Sequence, residues 1–182
     1  MTTRHTPTKA YLKQALINLL TEKSFEAITV SDLTKKAGVN RGTFYLHYRD
    51  KHDMMTHLKN DTLDDLYQLL NDPHIFTDTR LVLKEALAYI IDNLPFIAAM
   101  ANSSYLNFSQ IFKDFIYQFL TTIDGFQEII TKHYQIPYHY ALEVYLASIE
   151  SLISYWISHG CQETTDDMTA IILKTVGFEK AI

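Results

Sequence analysis

The stretch Ile28–Met55, ITVSDLTKKAGVNRGTFYLHYRDKHDMM, decides the fold. Thr29-Val30-Ser31-Asp32 reads as a capping box, in which the Thr29 hydroxyl accepts from the Asp32 amide and the Asp32 carboxylate reaches back. It opens a short helix from Val30 to about Ala37. Gly38 stands where the chain must turn left-handed, and Val39 can tuck into the core. Asn40 is a good cap for a third short helix, Arg41 to Tyr48. Asp50 caps a longer one, with Met54, Met55, Leu58, Thr62, Leu66, Leu69 and Leu70 on its buried side and Asn71-Asp72-Pro73 at its end. Upstream, Tyr11, Leu12, Ala15, Leu16, Leu19 and Leu20 trace a helical stripe from about Thr8 to Lys23, and Phe25, Ala27 and Ile28 make an apolar connector.

Two short helices joined through Ala37-Gly38-Val39 and preceded by a longer one form a helix-turn-helix. The first turn of its second helix, Arg41-Gly42-Thr43, is the part that meets base edges in a major groove. Arg41 can donate in bidentate fashion to guanine, and Thr43 can touch a base or a thymine methyl. Gly42 lets the backbone come close. Tyr45, His47 and Tyr48 offer ring-borne donors suited to phosphate, and Lys51 adds a cation. Thr29 and the amides that open its helix suit another phosphate. Taken singly, Arg41, Lys35 and Lys36 fit an ordinary solvated face, and Tyr45 could pack on the first helix; their company favours DNA.

The chain has 182 residues, 47% hydrophobic and 20% charged, which fits a globular protein of one domain or two small ones. Its net charge of −5 argues against nucleic acid, but the average misleads. Residues 1–60 hold ten Lys/Arg against five Asp/Glu, whereas residues 61–182 hold six against sixteen. A basic working end is thus joined to an acidic body. The single cysteine, Cys161, forms no intrachain disulfide and suits a reducing cytoplasm. The opening MTTRHTPTKAYLKQ lacks the apolar core of a signal peptide, and the uncharged window Asn93–Phe112 is broken by Pro95, so no membrane association is expected. Five glycines and four prolines favour long helices over many-turned β-structure.

The remainder reads as helical throughout, for about nine helices in an all-α protein. One covers Asp78 to Asn93 with Leu81, Leu83, Leu87 and Ile90/Ile91 apolar; Pro95 opens a short one to Ala101. Ser103 or Ser104 starts another through Phe108, Ile111, Phe112, Phe115 and Phe119. After Asp124-Gly125 comes a brief piece near Gln127–His133, and Pro137 opens a long helix ending before Gly160. Thr164 with Asp167 caps the last. Catalysis and metal binding are not expected. His47, His52 and His57 are five apart and spread around a helix, and His133 and His139 flank Pro137 without a matching cysteine set. Ser151 and Ser154 lie on a helix without a nucleophile elbow, and there is no glycine-rich phosphate loop. No cofactor is implied.

The pattern Thr-Val-x-x-Leu, then Ala-Gly-Val-Asn-Arg-Gly-Thr-Phe-Tyr-x-His-Tyr, then Lys resembles the TetR family of bacterial transcriptional regulators. The resemblance covers some 55 residues strongly. It implies that Arg41, Gly42 and Thr43 read the groove while Thr29, Tyr45, His47 and Lys51 hold the DNA backbone, with Tyr48 a weaker contact. The carboxyl-terminal part, with Tyr155-Trp156-Ile157-Ser158-His159-Gly160, is similar to the branch that includes regulators of dihydroxyacetone kinase operons. The implied architecture is a helix-turn-helix domain, 1–52, and a helical regulatory and dimerisation domain, 53–182.

The helix from Pro137 is apolar over much of its girth, as a buried central helix or a dimer interface would be. With the last helix it places Tyr145, Ile149, Leu152, Ile153, Trp156, Ile171, Ile172 and Val176 at a homodimer interface, as a palindromic operator requires. Tyr89, Phe96, Met100, Tyr105, Phe108, Phe112 and Trp156 are candidates to line a pocket between the helices from Asp78 and Pro137. The lack of an obvious buried charge points to a neutral or apolar small molecule. The reading is a cytoplasmic, ligand-responsive repressor. The alternative is a relative controlled by a protein partner and acting as an activator, which a filled core would favour.

Overall fold

Short side-chain-to-backbone bonds set the helix starts around the turn. The computed structural model describes residues 7–73, 78–103 and 105–176, and among them it forms ten α-helices and one 3-10 turn, with no strand. Helix α1 is Pro7–Leu20, followed by the 3-10 turn Phe25–Ala27, then α2 Val30–Ala37, α3 Arg41–Tyr45 and α4 Lys51–Leu70. Asn40 accepts from the Thr43 amide at 2.7 Å and Asp50 from the Asp53 amide at 2.8 Å. Gly38 takes φ +68°, the left-handed region that an L side chain enters only at a cost.

Two of these helices are shorter than expected. The Glu22 and Lys23 amides both fold back on the Leu19 carbonyl, at 3.0 and 2.9 Å, which ends α1 before Lys23. Regular helix stops at Tyr45, where the His47 and Tyr48 amides share the Phe44 carbonyl in a tightened last turn. On α4, Met54, Met55, Leu58, Thr62 and Leu66 are buried, whereas Leu69 and Leu70 are half-buried near its end.

The body comprises α5 Thr79–Asp92, α6 Leu94–Ala101, α7 Phe108–Leu120, α8 Phe126–Tyr134, α9 Tyr138–Ser158 and α10 Thr165–Val176. On α5 the buried set is Val82, Ala86, Leu87 and Ile90, while Leu81 and Ile91 are exposed. A residue advances about 100° around a helix, so Val82, Ala86 and Ile90 share a face and Leu81 lies opposite it. Helix α7 starts later than expected, at Phe108, capped by Asn107 through the Gln110 amide at 3.3 Å. The Ser103 amide instead closes α6 onto the Met100 carbonyl, and the other expected start, Ser104, lies outside the described residues. The Thr164 hydroxyl accepts from the Asp167 amide at 3.1 Å, as its spacing predicts.

Helix α9 runs through the body against α6, α7, α8 and α10, and α5 packs on α4 and α10. Helix α6 touches α1, and α4 continues from the head into the body, so one apolar core extends from Leu12 to Val176.

Candidate functional site

The head presents the opening of α3 outward because Phe44 and Tyr48 turn inward. Phe44 is fully buried and Tyr48 nearly so, while Arg41, Gly42 and Tyr45 are exposed and Thr43 is half-buried. The guanidinium of Arg41 reaches the Tyr45 hydroxyl at 3.4 Å, one turn along the helix, which aims it along the exposed face. A Cβ on Gly42 would sit 3.2 Å from Asn40 Oδ1, the atom that caps Thr43, so Gly42 also protects the cap. Leu46, beside Tyr45 at this helix end, is 82% exposed.

Four residues expected at phosphate stand in different settings. His47 is half-buried at the end of the reading helix. The Tyr48 ring packs 5.7 Å from both Phe44 and His57, and burial, with the charges of Asp61 and Asp53, pushes its pKa up to about 12. Tyr48 therefore shapes the head from inside. The Thr29 hydroxyl is occupied in its cap, donating to Asp32 Oδ2 at 2.8 Å and accepting from the Asp32 amide at 3.1 Å. That carboxylate, held down to about pKa 2 chiefly by Lys23 and then by the Thr29 amide and hydroxyl, puts a negative charge at the start of α2. Lys51 is folded inward. Its ammonium donates to the carbonyls of Phe25, Glu26 and Ile28 at 2.9, 2.8 and 2.8 Å and lies 4.9 Å from the Phe25 ring centre. All three of its N–H donors are thus used inside the head.

The body contains an apolar cavity of about 300 Å³ between α5 and α9, closed also by α4, α7, α8 and α10. Of the seven residues expected to line a pocket, Phe112 does. Phe108 stacks on it at 5.9 Å. The other five lie elsewhere. Phe96 and Met100 are buried on α6, Phe96 beneath the Lys13 ammonium at 5.8 Å. Tyr89 donates to Asp65 at 2.8 Å, and Trp156 donates to the Glu163 carbonyl at 3.2 Å. Tyr105 is exposed and bridges to the head, 4.6 Å from the His52 ring and 5.8 Å from Phe25. The wall is formed instead by residues such as Leu66, Leu83, Phe115, Phe119, Tyr145 and Ile153.

Among the expected interface residues, Tyr145, Ile153, Trp156, Ile172 and Val176 are buried within the chain itself, Ile149 and Leu152 are half-buried, and Ile171 is exposed. The outward face of α9 carries Tyr140, Val144 and Tyr155, at 60, 44 and 63% exposure. Spacings of four and eleven keep these three on one side.

An outward-facing helix-turn-helix on an all-helical body defines a class of DNA-binding transcriptional regulators. The comparisons identify the family. The description "Bacterial regulatory proteins, tetR family" matches residues 13–58, and "Transcriptional regulator C-terminal region" matches residues 78–177. The chain belongs to the TetR family of transcriptional regulators, and as such is not an enzyme.

Among relatives, the HTH-type transcriptional regulator YxbF of Bacillus subtilis (strain 168) is 28% identical over 149 residues, 75% of this chain and 39% of its own length. YvdT of the same organism is 32% identical over 77 residues, 40% of each chain. The chain thus spans about two-fifths of the length of these relatives. Two solved structures share the fold. The dihydroxyacetone kinase operon activator DhaS has a TM-score of 0.67 at 17% identity, covering 94% of this chain and 95% of its own. The fatty acid degradation regulator FadR of Bacillus halodurans has 0.65 at 14%, covering 96% of each. Among the described residues, no helix is long and apolar enough to cross a membrane.

Proposed function

We propose that this chain is a cytoplasmic repressor that binds a palindromic operator as a homodimer and releases it when an apolar or neutral small molecule enters the body. The observation that carries the reading is the outward first turn of α3, with Arg41 propped by Tyr45 and Thr43 fixed by the Asn40 cap. Residues 1–52 serve as the DNA-binding domain and 53–182 as the regulatory one. Arg41, Gly42 and Thr43 read bases, and Tyr45 and His47 hold phosphate; Lys51 and Tyr48 act from within the head, and Thr29 through its cap.

The second copy docks on the outer face of α9 and on α10, through Tyr140, Val144, Tyr155 and Ile171 with Leu152 at the margin, while Ile149 faces the cavity. A cavity of about 300 Å³ favours a small effector over a protein trigger, which a filled body would suit better. An effector that prefers a wider head spacing opposes the spacing that fits DNA.

Selection from random DNA with the purified protein tests the reading. The expected product is an inverted repeat, and Arg41→Ala weakens binding by about 1–3 kcal/mol and relaxes preference at one base pair per half-site. Recovery of no common sequence, or equal loss on all sequences, overturns it. Tyr155→Glu is expected to yield a folded monomer that no longer binds the repeat.

A further inference from the structure

The cavity has two unlike ends, and their difference bears on what can occupy it. Helix α4 starts at the head and finishes at Leu70, so the cavity end formed by Leu70, Thr79, Ile123 and Asp124 is the one far from the DNA-reading surface. The other end, at Ile90, Phe112 and Ile153, is hydrocarbon. At the far end Thr79 is half-buried and Asp124 exposed, so the polar side of the lining is also the side that meets solvent.

The charged side chain in the described lining is at that rim. Asp124 carries a carboxylate, and none of the described lining residues carries a positive charge. The first turn of α5, which could otherwise attract an anion, is capped by Asp78, whose carboxylate accepts from the Leu81 amide at 3.0 Å. Helix α7 ends there at Leu120, presenting the negative pole of its dipole, and α8 opens at Phe126 just past Asp124, whose carboxylate offsets that helix's positive pole. An anionic head group at this mouth meets the Asp124 carboxylate and, among the described lining residues, no cationic side chain; pulled further in, it is desolvated among hydrocarbon.

Resting on the reading that the cavity holds the effector, we propose that its occupant is an aliphatic amphiphile whose polar end is a hydrogen-bond donor, an alcohol or an alkylammonium, and that Asp124 discriminates against fatty carboxylates. The volume is about twice the ~150 Å³ cavity that accepts benzene, which suits a chain of roughly ten carbons. The tail lies toward Phe112, and the head group stays at the rim, where Asp124 accepts its N–H or O–H.

Calorimetric titration of the whole chain with decanol, decylammonium and decanoate, each below its micellar concentration and at neutral pH, tests this. Decanol and decylammonium are expected to bind on the order of tenfold tighter than decanoate. Asp124→Asn, a change at an exposed position, is expected to narrow the gap between decylammonium and decanoate while leaving decanol unchanged. Decanoate binding as well as the other two, or a gap that survives Asp124→Asn, overturns the head-group assignment and leaves the effector cavity standing. Binding of none of the three overturns the cavity reading together with it.

Discussion

The head and the body are held together in different ways. In the head, the starts of α2, α3 and α4 are each fixed by a named polar contact, Thr29 with Asp32, Asn40 with Thr43 and Asp50 with Asp53, and Lys51 ties down three carbonyls of the connector before α2. Behind them lies a small core of Leu12, Leu16, Ile28, Leu33 and Phe44, each fully buried. The body relies on large apolar side chains from six helices and still leaves about 300 Å³ unfilled. A reading surface has to keep one shape, because contacts to bases depend on geometry. A body that takes up a small molecule, as proposed, needs slack in its packing.

Deleting buried side chains on the two sides should expose this contrast. Leu16→Ala in the head is expected to cost about 3–5 kcal/mol, since a full set of neighbours surrounds it. Leu87→Ala, on the cavity wall, should cost about 2–3 kcal/mol, because part of its surface already faces empty space. Urea denaturation of both variants measures the difference. Equal losses, or a larger one for Leu87, would break the comparison.

Lys51 offers a sharper test, since the sequence makes it a phosphate contact and the fold ties it to the connector before α2. Lys51→Met is expected to destabilise the head by about 1–3 kcal/mol, through three carbonyls left without their donor. DNA binding should weaken while its salt dependence keeps the same slope. A slope reduced by about one would mean that Lys51 reaches phosphate after all.

The contrast also accounts for what could be read from residues alone. Thr29, Asp32, Gly38, Asn40 and Asp50 act on amides a few positions away, so their spacing announces their role before any tertiary structure is known. The partners of Lys51 are 23 to 26 residues upstream, and nothing local marks them. The cavity was harder still. Phe96, Phe112 and Phe119 have the same apolar character, but Phe96, on α6, packs toward α1 beneath Lys13 while the other two, on α7, border a void. Where six helices fail to fill space depends on all their side chains at once. The apolar girth of α9 is likewise legible in the sequence, but which part of it the chain itself covers is not.

The junction between the two regions gives a smaller effect. Tyr105, before α7, lies against His52 and Phe25 and so links a helix of the cavity wall to the head. Tyr105→Ala is expected to cost about 0.5–1.5 kcal/mol. Amide exchange should rise at Phe25–Ile28, with the α9 amides unaffected. Equal acceleration in both places would show that Tyr105 supports general packing rather than the junction.

The smallest expected effect is an acid sensitivity that starts in the head. The Asp32 carboxyl titrates at about 2 in the folded chain, against an ordinary 3.8, because Lys23 and the Thr29 cap favour its ionised form. The unfolded chain therefore takes up this proton first as pH falls. The stabilisation is complete above the ordinary carboxylate range, shrinks as pH drops through 3.8, and is lost once pH passes below about 2. Asp53 is shifted in the same direction, chiefly by the Arg49 backbone amide and guanidinium, and belongs to the same region. The one tryptophan, Trp156, sits in the body, so its fluorescence reports the body alone while the far-ultraviolet helix signal sums head and body. On acidification the helix signal should begin to fall before the Trp156 emission changes. Asp32→Asn, which keeps a capping oxygen but cannot ionise, should flatten that early phase. If the two signals fall together and the variant follows the same curve, the acid response originates in the body, and the polar ties of the head do not set its stability.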